Sequence, residues 1–382
     1  MKAVTFQGVK NMQVKEVPNP TIQKNDDIIV RITSSAICGS DLHIYQGAVP
    51  ATKDYVLGHE PMGIVEEVGS EVTKVKKGDR VVLPFNISCG HCHYCQNEME
   101  SQCDNSNPNK AVDTGGYFGF TERYGGYQGG QAELLRVPYG NFIPFVIPES
   151  VELDDEKLLF MSDVLPTALW SVENVGVKKG DTVVVLGCGP VGFMAQKFAW
   201  LKGASRVIAV DNVPYRLNHA KKMNNVEVIN FDDFPTFDDA GKYIRELTKG
   251  GADCVIDCVG MDGKKTPKEA QEQQMGLVGG TTSPIQIGMQ AIKKFGNLQL
   301  TGVYGSVYNQ FPLGNLWERN IRIRMGQAPV VHYMPILFDM IQKGEFDPTE
   351  IITHVVPLDR ASEMYKTFYE HADDCIKVVL KP

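Results

Sequence analysis

The sequence has no basic stripe, no low-complexity run and no internal repeat of roughly 20–50 residues. Solenoids, propellers and disordered arrays are therefore excluded. Positive charge is in the minority, with 38 lysines and arginines against 46 aspartates and glutamates, a formal net charge of −8. That balance argues against nucleic acid or an anionic membrane as the main partner. Met1–Phe6 lacks the apolar core and small-residue cleavage site of a secretory signal, so a cytoplasmic location is expected. Only Thr182–Leu201 is apolar enough to raise the question of a membrane span, and Gly187, Gly189, Pro190, Gly192 and Lys197 interrupt it. Its first part is β-branched and its second helix-like. It reads as a strand, a turn and a helix, and no membrane contact is expected. Nine cysteines in a reducing compartment read as metal ligands or buried thiols rather than disulfides.

A chain of 382 residues exceeds what one hydrophobic core usually organises, so two domains are expected. The first stretch offers short strand candidates, Asp27–Ile32, Met62–Val68 and Arg80–Pro84, each beside a turn signal. From about Leu165 strands alternate with helices. The strand candidates there are Thr182–Leu186, Arg206–Val210, Val226–Ile229, Cys254–Cys258 and Asn297–Val303. Helices are predicted over Phe193–Lys202, Tyr215–Met223 and Thr236–Thr248. This alternation predicts an α/β domain, a doubly wound parallel sheet covered by helices on both faces. The pattern turns mixed again near the end, with a helix over Met334–Lys343 and a strand over Ile376–Leu380. The arrangement predicted is a discontinuous β-rich domain, residues 1–164 and 321–382, interrupted by a dinucleotide-binding domain over 165–320.

The strand Val183–Leu186 runs into Gly187-Cys188-Gly189-Pro190-Val191-Gly192 and then a helix. In G-x-G-x-x-G the first glycine permits a tight turn, the second lets backbone approach a pyrophosphate, and the third lets helix and strand pack. The helix start then offers free N–H groups and a positive dipole end to phosphate. Asp211 closes the next strand about 20 residues on, where a carboxylate binds ribose hydroxyls and repels a 2′-phosphate. NAD is therefore expected over NADP. Arg216 is a candidate for the adenine ribose, or a solvated arginine.

Cys89, Cys92, Cys95 and Cys103 carry the strongest local signal, within a lobe of about residues 86–107. Four thiolates enclose Zn²⁺ tetrahedrally and leave no open position, which makes a structural site; a four-cysteine iron–sulfur cluster is the competing occupant. His91 and His93 are superfluous to such a site and are expected to face solvent. A second set is scattered. Cys38-Gly39-Ser40-Asp41-Leu42-His43 and Gly58-His59-Glu60 supply a thiolate, an imidazole and a carboxylate. A catalytic zinc needs three protein ligands and one exchangeable place. Spacing alone does not join these residues.

The order Cys-Gly-Ser-Asp-x-His, Gly-His-Glu, the four-cysteine lobe and G-x-G-x-x-G resembles the zinc-containing medium-chain dehydrogenase/reductase family, the alcohol dehydrogenases. The likeness runs from Met1-Lys2-Ala3 to Lys377-Val378-Val379-Leu380. Gly115–Gly119, Gly129–Glu133 and Ser162–Thr167 most resemble glutathione-independent formaldehyde dehydrogenases and their dismutase relatives. The resemblance implies a GroES-like β-rich catalytic domain plus a Rossmann-type dinucleotide domain, with two zinc ions and NAD as cofactors. It implies Cys38, His59 and Asp163 as ligands of the catalytic zinc, with Glu60 behind the metal. Asp163 stands where many members place a cysteine, a harder ligand of equal charge. It further implies a proton relay from substrate through Ser40 and the cofactor ribose to His43 and water. Gly302, Val303 and Lys377 are candidates for cofactor contact on the same basis.

The reaction implied is interconversion of an alcohol, or hydrated aldehyde, and its carbonyl product by hydride transfer to NAD, with zinc as Lewis acid. Ser40, Phe85, Trp170 and the Gly115–Gly130 loop are candidates to line the substrate pocket. Met261–Ser283 is longer than a simple crossover. In the formaldehyde dehydrogenases an insertion here covers the adenine, which would slow NAD release. A homo-oligomer is expected by analogy, a tetramer ahead of a dimer. The competing readings are a zinc-free quinone or enoyl reductase of the same architecture and a non-catalytic redox sensor. The first lacks the four-cysteine lobe and the Cys38/His59 pair. The second would be expected to have lost the ligands that are present here.

Overall fold

A computed structural model describes residues 1–109, 112–275, 279–305 and 311–382. The change of texture near Leu165 is a change of unit: residues 1–166 with 328–382 form one compact unit and residues 167–327 the other. Residues 321–327, which the sequence pattern assigned to the flanking segments, group with the second unit. The reason is that Arg322–Met325 is a strand of its sheet.

The first unit is built on Ile28–Ile37, whose run of apolar residues is buried over nearly its whole length. It pairs antiparallel with Pro61–Val68, Leu134–Val137 and Val378–Lys381. Pro61–Val68 continues the sheet to Arg80–Val82 and Phe145–Val146, while His354–Pro357 lies parallel to Val378–Lys381 at the other edge. Ile28, Val30, Ile32, Val65, Val81, Leu135 and Val137 form the core beneath it, each buried aliphatic contributing roughly 1.5–3 kcal/mol. Register shifts at Ile29/Val30 and Ile32/Ser34 bend the central strand. It ends at Ile37, so that Cys38 emerges at the sheet's rim.

The second unit is a six-stranded parallel sheet in the order Glu227–Asn230, Arg206–Asp211, Thr182–Leu186, Ala252–Asp257, Ile292–Leu300, Arg322–Met325. Counted along the chain this is 3-2-1-4-5-6, the Rossmann order, whose ligand crevice lies at the carboxyl ends of the strands where the order reverses. The strands are near-continuous β-branched runs because both faces are covered. Val184, Ile208, Val210, Val255 and Leu298 have no more than 1% exposure. Thr182–Leu201 resolves into the strand Thr182–Leu186 and the helix Pro190–Leu201. Among the described residues no helix is long and apolar enough to cross a membrane.

Candidate active site

Four chemically distinct donors meet in the first unit. Cys38 follows the central strand, His59 and Glu60 precede Pro61–Val68, and Asp163 ends the 3-10 turn Leu159–Ser162. One ligand atom from each lies within 4.8 Å of all the others. Tetrahedral coordination with 2.3 Å to sulfur and about 2.0–2.1 Å to nitrogen or oxygen sets a sulfur–oxygen edge of about 3.5 Å and a nitrogen–oxygen edge of about 3.3 Å. Cys38 Sγ lies 3.5 Å from Asp163 Oδ2, and His59 Nε2 lies 3.3 Å from the same oxygen. Zinc fits both of these edges.

The charge of the set points the same way. Burial pushes the Cys38 thiol up, and the Asp163 and Glu60 carboxylates add to it. Burial likewise raises Glu60, against the pull of Lys377. Burial opposes a charged His59, but the Asp41 and Asp163 carboxylates outweigh it and hold the imidazole well above its ordinary range. Cys38, His59 and Glu60 are each drawn to their more positive form. A buried divalent cation satisfies that demand.

Asp163 is held by a small network upstream. Asp155 accepts from Thr33 Oγ1 at 2.5 Å, Ser34 Oγ at 2.8 Å, and Arg80 Nε and Nη2 at 3.1 and 2.5 Å. It pins the segment Asp155–Ser162 to the central strand, while Phe85 N donates to Ser162 O at 3.0 Å. Asp41, part of the Cys-Gly-Ser-Asp signature but given no role from sequence, is completely buried. Its Oδ1 lies 3.1 Å from His59 Nδ1, and its Oδ2 accepts from Cys38 N at 3.0 Å. The ring proton is thereby assigned to Nδ1, which leaves Nε2 for the metal.

Ser40 Oγ lies 3.1 Å from His59 Nε2. His43 is only 5% exposed, so the residue expected to meet water is enclosed within the short helix Asp41–Tyr45. Lys377, expected on the cofactor, is instead fully buried under the metal donors, with Nζ 2.5 Å from Glu60 Oε1. A carboxylate with no solvent needs that ammonium beside it. Aromatic rings wall the donors: Phe85 and Phe120 stand edge-on to His59 at 6.3 and 6.0 Å, and Tyr117 and Tyr124 stack behind them at 5.0 Å. Phe85 was singled out from the sequence. Phe120, Tyr117 and Tyr124 were only part of a glycine-rich loop, because nothing local marks which of its rings turns inward. Trp170 belongs to the second unit.

The four-cysteine lobe closes as its spacing predicts. The Sγ atoms of Cys89, Cys92, Cys95 and Cys103 lie within 4.8 Å of one another. Cys89–Cys95, Cys92–Cys95 and Cys92–Cys103 are 3.9, 3.5 and 3.9 Å apart. A tetrahedron with 2.3 Å arms has edges of about 3.8 Å. Backbone N–H groups of Cys92 and Cys89 donate to the sulfurs of Cys89 and Cys103 at 3.3 Å. His91 and His93 are exposed, and all nine cysteines are free of disulfides.

In the second unit Gly187 has φ +92° and turns the chain at the end of its strand. A Cβ on Gly192 would stand 2.0 Å from Gly187 O, whereas one on Gly189 would meet nothing within 4 Å. The helix Pro190–Leu201 therefore packs on the strand while its uncapped start, with Pro190 and Val191, opens onto free space. That space fits a pyrophosphate. Asp211 accepts from Cys188 N, Asn212 N and Val213 N at 2.6, 2.7 and 2.9 Å, which ties the second strand's end to the glycine turn. Arg216 carries a buried Nε with no acceptor. Gly302 and Val303 follow the fifth strand: Gly302 N donates to Asp257 O at 3.0 Å, and Val303 O accepts from Met261 N at 2.8 Å. Lys264 Nζ, from the longer crossover, reaches Asp232 Oδ1 at 2.7 Å. Residues 276–278 of that crossover lie outside the described residues.

Comparison with known proteins agrees with this chemistry. The family model described as alcohol dehydrogenase GroES-like domain matches residues 24–149, and the one described as zinc-binding dehydrogenase matches residues 190–269. The chain is 59% identical over 383 residues to an uncharacterized zinc-type alcohol dehydrogenase-like protein of Bacillus subtilis, covering 100% of both. It is 33% identical over 390 residues to a glutathione-independent formaldehyde dehydrogenase of Pseudomonas aeruginosa, with 96% of this chain and 94% of that one covered. Among solved structures, an alcohol dehydrogenase from Thermus sp. ATN1 matches with a TM-score of 0.84 at 31% identity, covering 100% of this chain and 99% of that one. A mixed thiol, imidazole and carboxylate cluster, a closed four-thiol lobe and a Rossmann sheet in one chain have a common explanation: this protein belongs to the zinc-containing alcohol dehydrogenases of the medium-chain dehydrogenase/reductase family, and is an oxidoreductase of that type.

Proposed function

We propose that this chain is a zinc-dependent, NAD-linked dehydrogenase that interconverts a small alcohol, or hydrated aldehyde, and its carbonyl product. The observation that carries the reading is the convergence of Cys38, His59, Glu60 and Asp163 within 4.8 Å. When bound, zinc supplies a Lewis acid that makes a ligated alcohol acidic near neutral pH, and NAD supplies the hydride acceptor. Cys38, His59 and Asp163 hold the metal. Glu60, tethered to Lys377, stays behind it and balances its charge. Ser40 takes the alcohol proton, standing 3.1 Å from the nitrogen that faces the metal. His43 receives it next by way of the cofactor ribose, an imidazole being a common general acid–base group. Phe85 and Phe120 exclude water around the reacting oxygen. Cys89, Cys92, Cys95 and Cys103 hold a second, structural zinc.

Asp211 favours NAD, because its carboxylate would face a 2′-phosphate of like charge. The Lys264–Asp232 contact ties the long crossover to the strand end beside the adenosine side, consistent with slow NAD release. A homo-oligomer fits the exposed edge strand Arg322–Met325, whose own Met325 is 61% exposed and which follows Leu313 and Trp317 at 65 and 80% exposure. The deciding experiment is metal analysis together with NAD reduction on formaldehyde, simple primary alcohols, polyols and threonine. Two zincs per chain and turnover on one of these classes is the expected result. A protein with both zincs and no turnover on any of them would defeat the proposal.

A further inference from the structure

Behind the metal donors lies a buried chain of hydrogen bonds that the reaction itself does not use. Gln131 is completely buried, and its Nε2 donates to Ala36 O at 3.0 Å and to Asp41 Oδ2 at 3.1 Å. Both partners are acceptors only, so the amide's NH₂ must face them and its oxygen must point away. That oxygen accepts from Tyr365 Oη at 2.8 Å. Tyr365 is also completely buried, on the helix Ala361–Tyr369 from the end of the chain. Burial and the nearby Asp41 charge push its phenol well above the ordinary range, so it remains a donor.

The contacts around Gln131 are close, and the link from Asp41 Oδ1 to His59 Nδ1 is a 3.1 Å charge contact. Gln131 N donates to Leu57 O at 3.0 Å and its carbonyl accepts from Val4 N at 2.8 Å. A side chain at Gly58, next to His59, would press within 2.4 Å of Gln131 Cγ. The Tyr365 ring packs on Tyr45 at 5.7 Å, on the same short helix that carries Asp41. Asp41 in turn holds two different ligands, one through the Cys38 backbone and one through His59 Nδ1. A fully connected buried network fixes one geometry, whereas a half-satisfied one leaves a costly unpaired group.

We propose that Gln131 and Tyr365 are positioning residues for the catalytic metal: they orient Asp41, and through it the Cys38 and His59 donors. The proposal rests on the assignment of Cys38, His59 and Asp163 as ligands. It makes the C-terminal helix a determinant of metal retention, although that helix supplies no ligand.

The test compares zinc-loaded wild type with Tyr365→Phe, which keeps the ring, with Gln131→Leu, and with the double variant. Release of zinc to a chromogenic chelator and the visible spectrum of the cobalt-substituted enzyme are read beside activity. Loss of an outer hydrogen-bond partner typically weakens metal binding 10–100-fold. Tyr365→Phe should therefore release the catalytic zinc about 10-fold faster and Gln131→Leu up to about 100-fold faster. The double variant should be no worse than Gln131→Leu, because the contacts act in series. The structural zinc should leave at the wild-type rate. If both single variants keep release rates and cobalt spectra within about twofold of wild type, the proposal is wrong. A lowered melting temperature with unchanged release and spectra also refutes it, since that is packing alone. His59→Ala is the control: if it retains both zincs, the ligand assignment fails, whereas its loss of one zinc confines any negative result to Gln131 and Tyr365.

Discussion

Replacing Asp155 tests how the metal site is anchored. Its carboxylate collects four donor contacts, from Thr33, Ser34 and two nitrogens of Arg80, with side-chain exposures of 15% for Asp155 and 24% for Arg80. Asp155→Ala strands two hydroxyls and a guanidinium that has little access to water. Breaking a buried ion pair by removing one partner costs about 3–5 kcal/mol, and the residual exposure of Arg80 places the expected loss near ~3 kcal/mol. Asp155→Asn keeps an oxygen for the hydroxyls and loses the charge, for which about 1.5–3 kcal/mol is expected. Burial works against the ionised Asp155, but the hydrogen bonds from Thr33, Arg80 and Ser34 prevail and hold it below the ordinary 3.8. A lowered carboxylate contributes its stability fully above the unfolded value and loses it as pH falls through the folded one. The difference between wild type and Asp155→Asn should thus be constant from about pH 7 to pH 5 and shrink only below about 3.8. All three tryptophans, Trp170, Trp200 and Trp317, lie in the second unit. Urea unfolding should therefore be followed by far-UV circular dichroism and zinc release rather than by tryptophan fluorescence. A loss below about 0.5 kcal/mol for Asp155→Ala, the range of ordinary surface changes, would refute the reasoning.

Three further outcomes follow from the sites. Asp211→Ser should raise kcat/KM with NADP relative to NAD by about 10-fold or more, an effect of ~1.4 kcal/mol; unchanged discrimination would show that another group reads the ribose. Cys103→Ser should reduce zinc from two to one per chain by elemental analysis, and retention of both would break the four-thiol assignment. His43→Gln should lower turnover about 100-fold at neutral pH with the deficit narrowing as pH rises, and a full-rate variant with an unaltered pH profile would remove His43 from proton transfer.

Much of this arrangement was legible in one sequence, for identifiable reasons. The first two Rossmann strands are rich in β-branched residues, and Thr182–Leu186 lies where the pattern put it. The four thiols are close in sequence, so their meeting needed only a local loop. By contrast, Arg322–Met325 alternates arginine with apolar residues but is only four residues long and exposed along most of its length. It is identifiable only by its pairing with Asn297–Leu300. His43 was expected to meet water because the proton relay implied by the resemblance ends there, yet tertiary packing encloses it. The roles of Asp41, Gln131 and Lys377 depend on partners 18 to 317 positions away. No periodicity encodes contacts of that range.

The interrupted course of the first unit also constrains the order in which the molecule is made. Residues 167–327 are contiguous and emerge from the ribosome as a complete folding unit. The first unit has to wait for its second segment: Val378–Lys381 fills the slot between His354–Pro357 and Ile28–Ile37, and Lys377 and Tyr365 arrive with it. Until that segment docks, Glu60 lacks its counter-ion and Gln131 its donor. The cluster of Cys38, His59, Glu60 and Asp163 is therefore backed on all sides only once both segments of the interrupted unit have come together, so firm metal retention there follows assembly of that unit rather than folding of its first segment alone.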